Sequence, residues 1–424
     1  MNMELDDHLF RRESGRMVAA LTRLFGVHNL ALAEDVVQDA FCRALEVWKF
    51  RGVPDNPAAW LMATAKHRAI DVLRRDRTAR TFAPELGRLL ESEWTLVPLV
   101  DELLSAPVIA DDLLRMMFSC CHPRLSEEAQ IALVLHILCG FGVGEIAAAF
   151  LAAEPAIYKR ISRAKAVLAG SRKLFDLTDS DFVTRLSAVH RALYLLFNEG
   201  YHSASTESAV RAELCGEALR LVRLLADHSG TATPSTHALA ALMCLHAARL
   251  PGRTDPGGHL SALADQDRTR WDRGLIEEGR RWLDRSAQGD ELTAYHVEAA
   301  IAAIHADARD LEDTDWGQIV VLYDRLLAIR PSPVVALNRA IAVAQRDGPD
   351  KGIAEIHAIQ GRESLDRYPF YAAALGDLEL RRGRNEIAAS HFQDAASLAR
   401  NVTERQFFEQ RLRSCGTRFV PGHN

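Results

Sequence analysis

Two short stretches gather residue types able to do acid–base or metal chemistry. FNEGYHSAS (197–205) sets Glu199, Tyr201 and His202 together, with His190 upstream. A carboxylate beside an imidazole is the pairing used for general acid–base catalysis. SCCHPRLS (119–126) sets Cys120, Cys121 and His122 in a row, all zinc-ligand types. Neither stretch has the companions its chemistry needs. Adjacent cysteines chelate one ion poorly, no second pair follows at a suitable spacing, and Cys139 is the nearby candidate for a fourth ligand. HExxH, a nucleophile elbow and a phosphate loop do not occur. A helix end or turn with satisfied polar groups accounts for the first stretch, and buried thiols for the second. No catalytic residue, metal ligand or cofactor is expected.

Cationic helices are a more informative signal. WLMATAKHRAIDVLRRDR (60–77), wound at about 100° per residue, puts Leu61, Ala65, Ala69, Val72 and Leu73 on one side. His67, Asp71, Arg74 and Arg75 fall on the other, with Trp60 among them. Cations beside an aromatic ring suit phosphates and unstacked single-stranded bases. The plain alternative is a solvated basic face with a tryptophan at its rim. The helix should pack on Val36, Val37, Ala40 and Phe41 of the preceding helix, which runs from near Ala33. That helix carries Glu34, Asp35 and Asp39, with Gln38 between the acids. Like charges at i,i+4 repel by a few tenths of a kcal/mol, so the cluster is either a solvated face or a surface for a basic protein partner. Asn56 should cap the basic helix, with Pro57 at its first position.

A second basic element lies about 90 residues further on. GVGEIAAAFLAAEPAIYKRISRAKAVL reads as a helix, a break at Ala152–Pro155 and a second helix over 155–168. Ile157, Ile161 and Ala164 form its inward stripe, against Ile146 and Phe150. Lys159, Arg160, Arg163 and Lys165 give it charge, with no acid from Pro155 to Lys173. This is the spacing of a helix–turn–helix, whose second helix enters a major groove. A helical hairpin with a basic rim has the same pattern.

These elements sit in a chain of 424 residues with net charge −6, too long for one core and not globally basic. Leu, Ala and Arg dominate, which favours an all-α fold. No apolar run approaches the ~20 residues of a membrane span, and the N-terminus lacks the apolar core of a signal peptide. Seven cysteines without a repeated CxxC fit a reduced, cytoplasmic protein. Helices over 1–80 are followed by a Pro- and acid-rich linker at 81–111, then by the helix–turn–helix segment at 112–175. From about 180 to 424 the chain is helical and mixed in charge. There, 338–359 precedes a similar stretch at 373–394 by 35 residues, aligning Gly348 with Gly383 in the turn between two amphipathic helices. A period of about 34 suggests tetratricopeptide-like hairpins over roughly 315–400.

In order, AEDVVQDAF (33–41), WLMATAKHRAIDVLRR (60–75) and EIAAAFLAAEPAIYKRISRAK (145–165) resemble the extracytoplasmic-function group of bacterial RNA polymerase sigma factors. The resemblance covers about residues 10 to 170. It implies two small helical sigma domains, the second a helix–turn–helix. It implies that Asp35, Gln38 and Asp39 bind the β′ clamp helices of core polymerase, with the β flap as a further contact. Residues 50–75 match the segment that opens and reads the −10 element, which points to Trp60, His67, Arg68, Arg74 and Arg75. The helix 155–168 matches the −35 reader, which points to Tyr158, Lys159, Arg160, Arg163 and Lys165. Three departures stand out: His67 where the family usually has Asn, Leu151 for the turn glycine, and Ala156 for the usual capping Thr. The first bears on −10 preference, the others on turn geometry.

The long C-terminal part resembles the subgroup with a tetratricopeptide-like extension, through SCCHPRLS, FNEGYHSAS and PVVALNRAIAVA (333–344). In that subgroup the extension contributes to sigma activity in place of a membrane anti-sigma partner. Stacked hairpins make a groove suited to a peptide or protein ligand. The rival reading is a helix–turn–helix repressor with a helical ligand-binding domain; it leaves the Asp35/Asp39 helix and the first basic helix without purpose. A third is a tetratricopeptide scaffold with incidental basic helices.

Overall fold

The computed structural model describes residues 3–26, 29–75, 106–149, 152–170, 179–201, 210–255 and 259–416. Most of the acidic linker, His202 and Leu151 therefore lie outside the described residues. Among those described, eighteen α-helices account for the fold, and the only β feature is an isolated bridge between Thr254 and Leu260. The all-α expectation is met. The helices divide into two compact units, 1–196 with 227–231, and 197–226 with 232–424.

The first unit opens with α1 (Met3–Phe25), α2 (Leu30–Arg51) and α3 (Pro57–Arg75). α2 buries Val36, Val37, Ala40, Phe41, Ala44 and Trp48, an i, i+3/i+4 stripe that leaves its acids outside. Asn56 Oδ1 accepts from the backbone N–H of Ala59 at 3.0 Å, so the helix starts at Pro57 with the cap expected for it. α4 (Ala106–Cys120) packs on α1, where Arg23 pairs with the fully buried Asp112 at 2.9 Å.

α5 (Glu127–Leu133) runs into one π-helical turn, Val134–Leu138. The stretch SCCHPRLS is the corner between α4 and α5. Cys120 and Cys121 are buried, and burial pushes the Cys121 thiol up to about 12. Gln130 Nε2 donates to the His122 and Leu125 carbonyls, and Ser126 caps α5. Helix α6 (Val143–Ala149), helix α7 (Glu154–Ala169) and helix α8 (Asp179–Tyr201) follow.

Gly15 lets α1 reach the π-helical turn. A Cβ there would stand 2.2 Å from the Leu138 carbonyl oxygen. Relieving a clash with backbone shifts whole helices, so Gly15→Ala is expected to lower stability by about 1–3 kcal/mol. Urea titration of the full chain measures it, and an unchanged midpoint would refute the close approach.

His190 in α8 is 4% exposed, and burial lowers its pKa from 6.5 to about 4. The unfolded imidazole takes up a proton near 6.5 and the folded one does not. The contribution of His190 to stability is therefore complete above about pH 6.5 and is lost as the pH drops towards 4. Over that window the loss is roughly 3 kcal/mol. His190→Gln should flatten this acid limb in melts between pH 7 and 4; an equally steep limb in the variant would count against His190 as its source.

The second unit is built around α10 (Pro234–Ala247), in which every residue from Ala238 to Leu245 is buried. A helix apolar all round belongs at a centre. α9 (Ala212–Asp227), α11 (Arg273–Ser286) and α12 (Ala294–Asp307) complete this layer. Gly200 explains part of FNEGYHSAS: its Cβ would meet Leu214 Cβ at 2.7 Å and the Arg211 carbonyl at 2.8 Å, so α8 and the start of α9 touch through it. α13 (Trp316–Ile329), capped by Asp315, leads to two helical hairpins. They are α14 (Pro333–Asp347) with α15 (Pro349–His357), and α16 (Pro369–Arg381) with α17 (Asn385–Ser397). Gly348 (φ 96°) and Gly383 (φ 75°) occupy the two turns, in the left-handed region that glycine tolerates. Helix α18 (Val402–Gly416) closes the unit.

Candidate polymerase and nucleic-acid interface

The acidic face of α2 is open. Asp35, Gln38 and Asp39 are exposed, while the opposite face of the helix is buried. Arg68 of α3 reaches across and pairs with Asp39 at 2.7 Å. Both side chains are largely solvated, 39% and 52% exposed, so the pair contributes at most about 1 kcal/mol and opens readily. A site expected to bind protein and a site expected to bind DNA thus share an ion pair.

Trp60 does not stand out on a polar face. It is half-buried, with its ring 5.5 Å from that of Trp48 in an edge-on arrangement, and its carbonyl accepts from Thr64. One edge of the ring therefore belongs to the α2–α3 seam. His67 and Asp71 are exposed on the outer face of α3, and Ala63 lies exposed beside them. Leu61, Ala65 and Ala69 are buried as the periodicity predicts, joined by Ile70, whereas Val72 is only half-buried. Arg74 and Arg75 close α3, and their side chains lie outside the described residues.

In the second segment, α7 begins at Glu154, one residue before the expected start, with Ala153 at the N-cap and Pro155 in its first turn. No side chain caps it. Pro155 supplies the helical φ that a missing cap would otherwise help to set. Ile157, Ile161 and Ala164 are buried, and Ile146 of α6 is buried too. Phe150 falls outside the described residues. Tyr158, 65% exposed, stands with Lys159 and Arg163 on the solvent face. Arg160 is half-buried and pairs with Glu128 at 3.1 Å.

Lys165 points elsewhere. Its ammonium donates to both oxygens of Glu34 on α2, at 2.7 and 2.8 Å. His136, in the π-helical turn, completes the group, with Nε2 3.6 Å from Glu34 and Nδ1 2.9 Å from the Phe141 carbonyl. Burial, then the Lys165 charge, lowers the His136 pKa. A neutral ring donating through Nδ1 to Phe141 fits both facts. Of the five basic or aromatic residues expected to read the −35 element, the structure thus groups Tyr158, Lys159 and Arg163, and turns Arg160 and Lys165 towards acids of their own unit. The Glu34–Lys165 pair spans 131 residues of sequence. No local pattern announces such a contact; the one signal in the sequence is a glutamate beside the Asp35/Asp39 cluster with no cation near it on its own helix face.

Comparison with known proteins agrees with this layout. Residues 9–79 match Sigma-70 region 2, and residues 115–168 match Sigma-70, region 4. The chain belongs to the sigma-70 family. The three helices α1–α3 are thus its region 2, and the segment from α4 to α7 its region 4. Residues 185–287, which include α9, α10 and α11, match a family of unknown function (DUF6596). The sigma-70 chain is 39% identical over 398 residues to an uncharacterized protein, R00370, of Rhizobium meliloti (strain 1021), covering 93% of this chain and 92% of that one. The likeness therefore runs through both sigma regions and the extension together. No solved structure matches. Core RNA polymerase and promoter DNA are the partners that regions 2 and 4 imply. Among the described residues no group of three or more His, Cys, Asp or Glu is placed to hold a metal, and no helix is long and apolar enough to cross a membrane.

Proposed function

We propose that the chain is a cytoplasmic sigma factor of the extracytoplasmic-function type that carries core RNA polymerase to its promoters, with a C-terminal extension that sets its activity. The observation that carries this reading is the pairing of an exposed acidic face on α2 with an exposed Tyr158–Lys159–Arg163 face on α7, in the order region 2, region 4. Asp35, Gln38 and Asp39 meet the β′ clamp helices. Trp60, His67 and Arg68 engage the −10 element, with Arg74 and Arg75 as further cations on that helix. Tyr158, Lys159 and Arg163 read the −35 element. Nucleotide joining belongs to the polymerase; the sigma factor supplies binding energy, with cations on phosphates and captured unstacked bases.

The extension acts as a tetratricopeptide-like module that takes a protein or peptide ligand. Its paired hairpins α14–α15 and α16–α17, with Gly348 and Gly383 in equivalent turns, support that assignment.

Core binding is the direct test. Asp39→Arg reverses a charge on the proposed clamp surface and also repels Arg68. It is expected to weaken association with purified core polymerase about tenfold, measured by fluorescence anisotropy of labelled protein. Its unfolding midpoint should move little, since the lost pair is solvated. Equal core affinity would remove Asp39 from the interface.

A further inference from the structure

Three arginines cluster where α10 ends. Arg249 follows that helix closely, and Arg253 follows the short 3-10 turn Leu250–Gly252. Arg268 opens a second such turn, Arg268–Arg270. The guanidinium carbons of Arg249 and Arg268 each lie 5.3 Å from the centre of the Trp271 ring. That of Arg253 lies 4.2 Å over the ring of Tyr201. Tyr201 is 4% exposed, Trp271 3% and Arg249 9%, while Arg253 is half-buried and forms the accessible side of the group.

The three are not equivalent. Arg268 is fully provided for: it donates to the carbonyls of His305 (2.8 Å) and Ala308 (3.0 Å) and to the Thr314 hydroxyl (3.1 Å). This is how the chain satisfies a guanidinium whose role is structural. Arg249 and Arg253 have no carboxylate in ion-pair range among the described residues. The Nε of each is buried without an acceptor, as is the indole N–H of Trp271. A buried charge is ordinarily paired, and a guanidinium cannot escape the cost by losing its proton. Cation–π contact with the two rings offsets part of that cost. It does not use the N–H donors, which lie in the plane of the guanidinium and call for oxygen lone pairs. Burial and the neighbouring Arg253 charge both lower the Arg249 pKa, which marks the cluster as electrostatically unbalanced.

We propose that Arg249 and Arg253 form a binding site for a small oxyanion, a carboxylate or phosphate group, held beside Trp271. The fork of a guanidinium matches either group through two parallel hydrogen bonds, and two such forks with an indole donor favour a polar anion over chloride. Bound there, the anion neutralises two like charges and ties the end of α10 to the turn bearing Trp271. The site lies wholly within the second unit, so it stands or falls independently of the sigma-factor reading.

Calorimetric titration of the full-length protein tests it, with inorganic phosphate and malonate as separate probes and ionic strength held constant with sodium chloride. Saturable one-to-one binding of at least one probe is expected. Phosphate alone would identify a phosphorylated ligand class, malonate alone a carboxylate class. Arg253→Gln keeps the half-buried stem and removes the charge; it should weaken binding about tenfold while leaving the unfolding midpoint in chloride near wild type. Arg249→Lys, which keeps the charge but loses the fork, should weaken it too. Absence of saturable binding by either probe would overturn the proposal, as would Arg253→Gln binding as tightly as wild type.

Discussion

Replacing Phe392 with alanine is expected to lower the unfolding free energy of the extension by about 3–5 kcal/mol. The ring is fully buried on α17, in one cluster with Ala373, Ala388, Ala395 and Phe408. It fills the space that Gly376 leaves on α16, since a Cβ on that glycine would stand 3.0 Å from the ring. Two helices and α18 close on this one side chain, and small alanines around it have little volume with which to collapse into a cavity. The loss should appear at the high end of the range for that reason. Guanidinium titration followed by far-ultraviolet circular dichroism measures it. A loss below about 1 kcal/mol would mean that the hairpin relaxes around the gap, contrary to this packing.

The largest functional effect is expected from Tyr158→Ala combined with Arg163→Ala. Both side chains lie on the solvent face of α7, and neither shapes the buried stripe of Ile157, Ile161 and Ala164. A base-edge contact is worth about 1–3 kcal/mol. Losing two should therefore weaken −35-dependent binding by the holoenzyme on the order of a hundredfold. Lys165→Ala is the informative control. Its ammonium is held by Glu34, so the change should reduce stability more than promoter affinity. Mobility shifts with holoenzyme at several salt concentrations separate the cases. Equal losses for Lys165→Ala and the double variant would place Lys165 on the DNA side as well.

Local pattern makes the helices legible. The apolar stripes of α2 and α7, the Asn56 cap of α3 and the glycine turns at Gly348 and Gly383 all depend on residues within a turn or two of each other. The order of the two sigma regions is legible for the same reason, because each motif sits on one or two helices. Contacts between distant segments are not. Trp60 reads as an exposed aromatic among cations because its partner Trp48 lies on another helix. Arg68 and Asp39 carry expectations of different partners, yet they pair with each other. Glu34, His136 and Lys165 meet from three elements. The Arg249–Arg253–Trp271 group carries no motif at all; its meaning comes from burial without partners, which only three-dimensional packing reveals. SCCHPRLS and FNEGYHSAS stand out in the sequence for their chemistry. In the structure the first is a helix corner, and Gly200 of the second is a close-approach point between helices.

We infer that this protein gives core polymerase its promoter specificity. Transcription of the source organism's genomic DNA by purified core polymerase, with and without the full-length protein, tests it and requires no promoter to be chosen in advance. Mapping of RNA 5′ ends should reveal a set that appears only when both components are present and that shares two sequence elements upstream, near −10 and −35. The same 5′ ends with and without the protein, together with tight binding of the protein to duplex DNA in the absence of polymerase, would contradict the claim and favour a repressor.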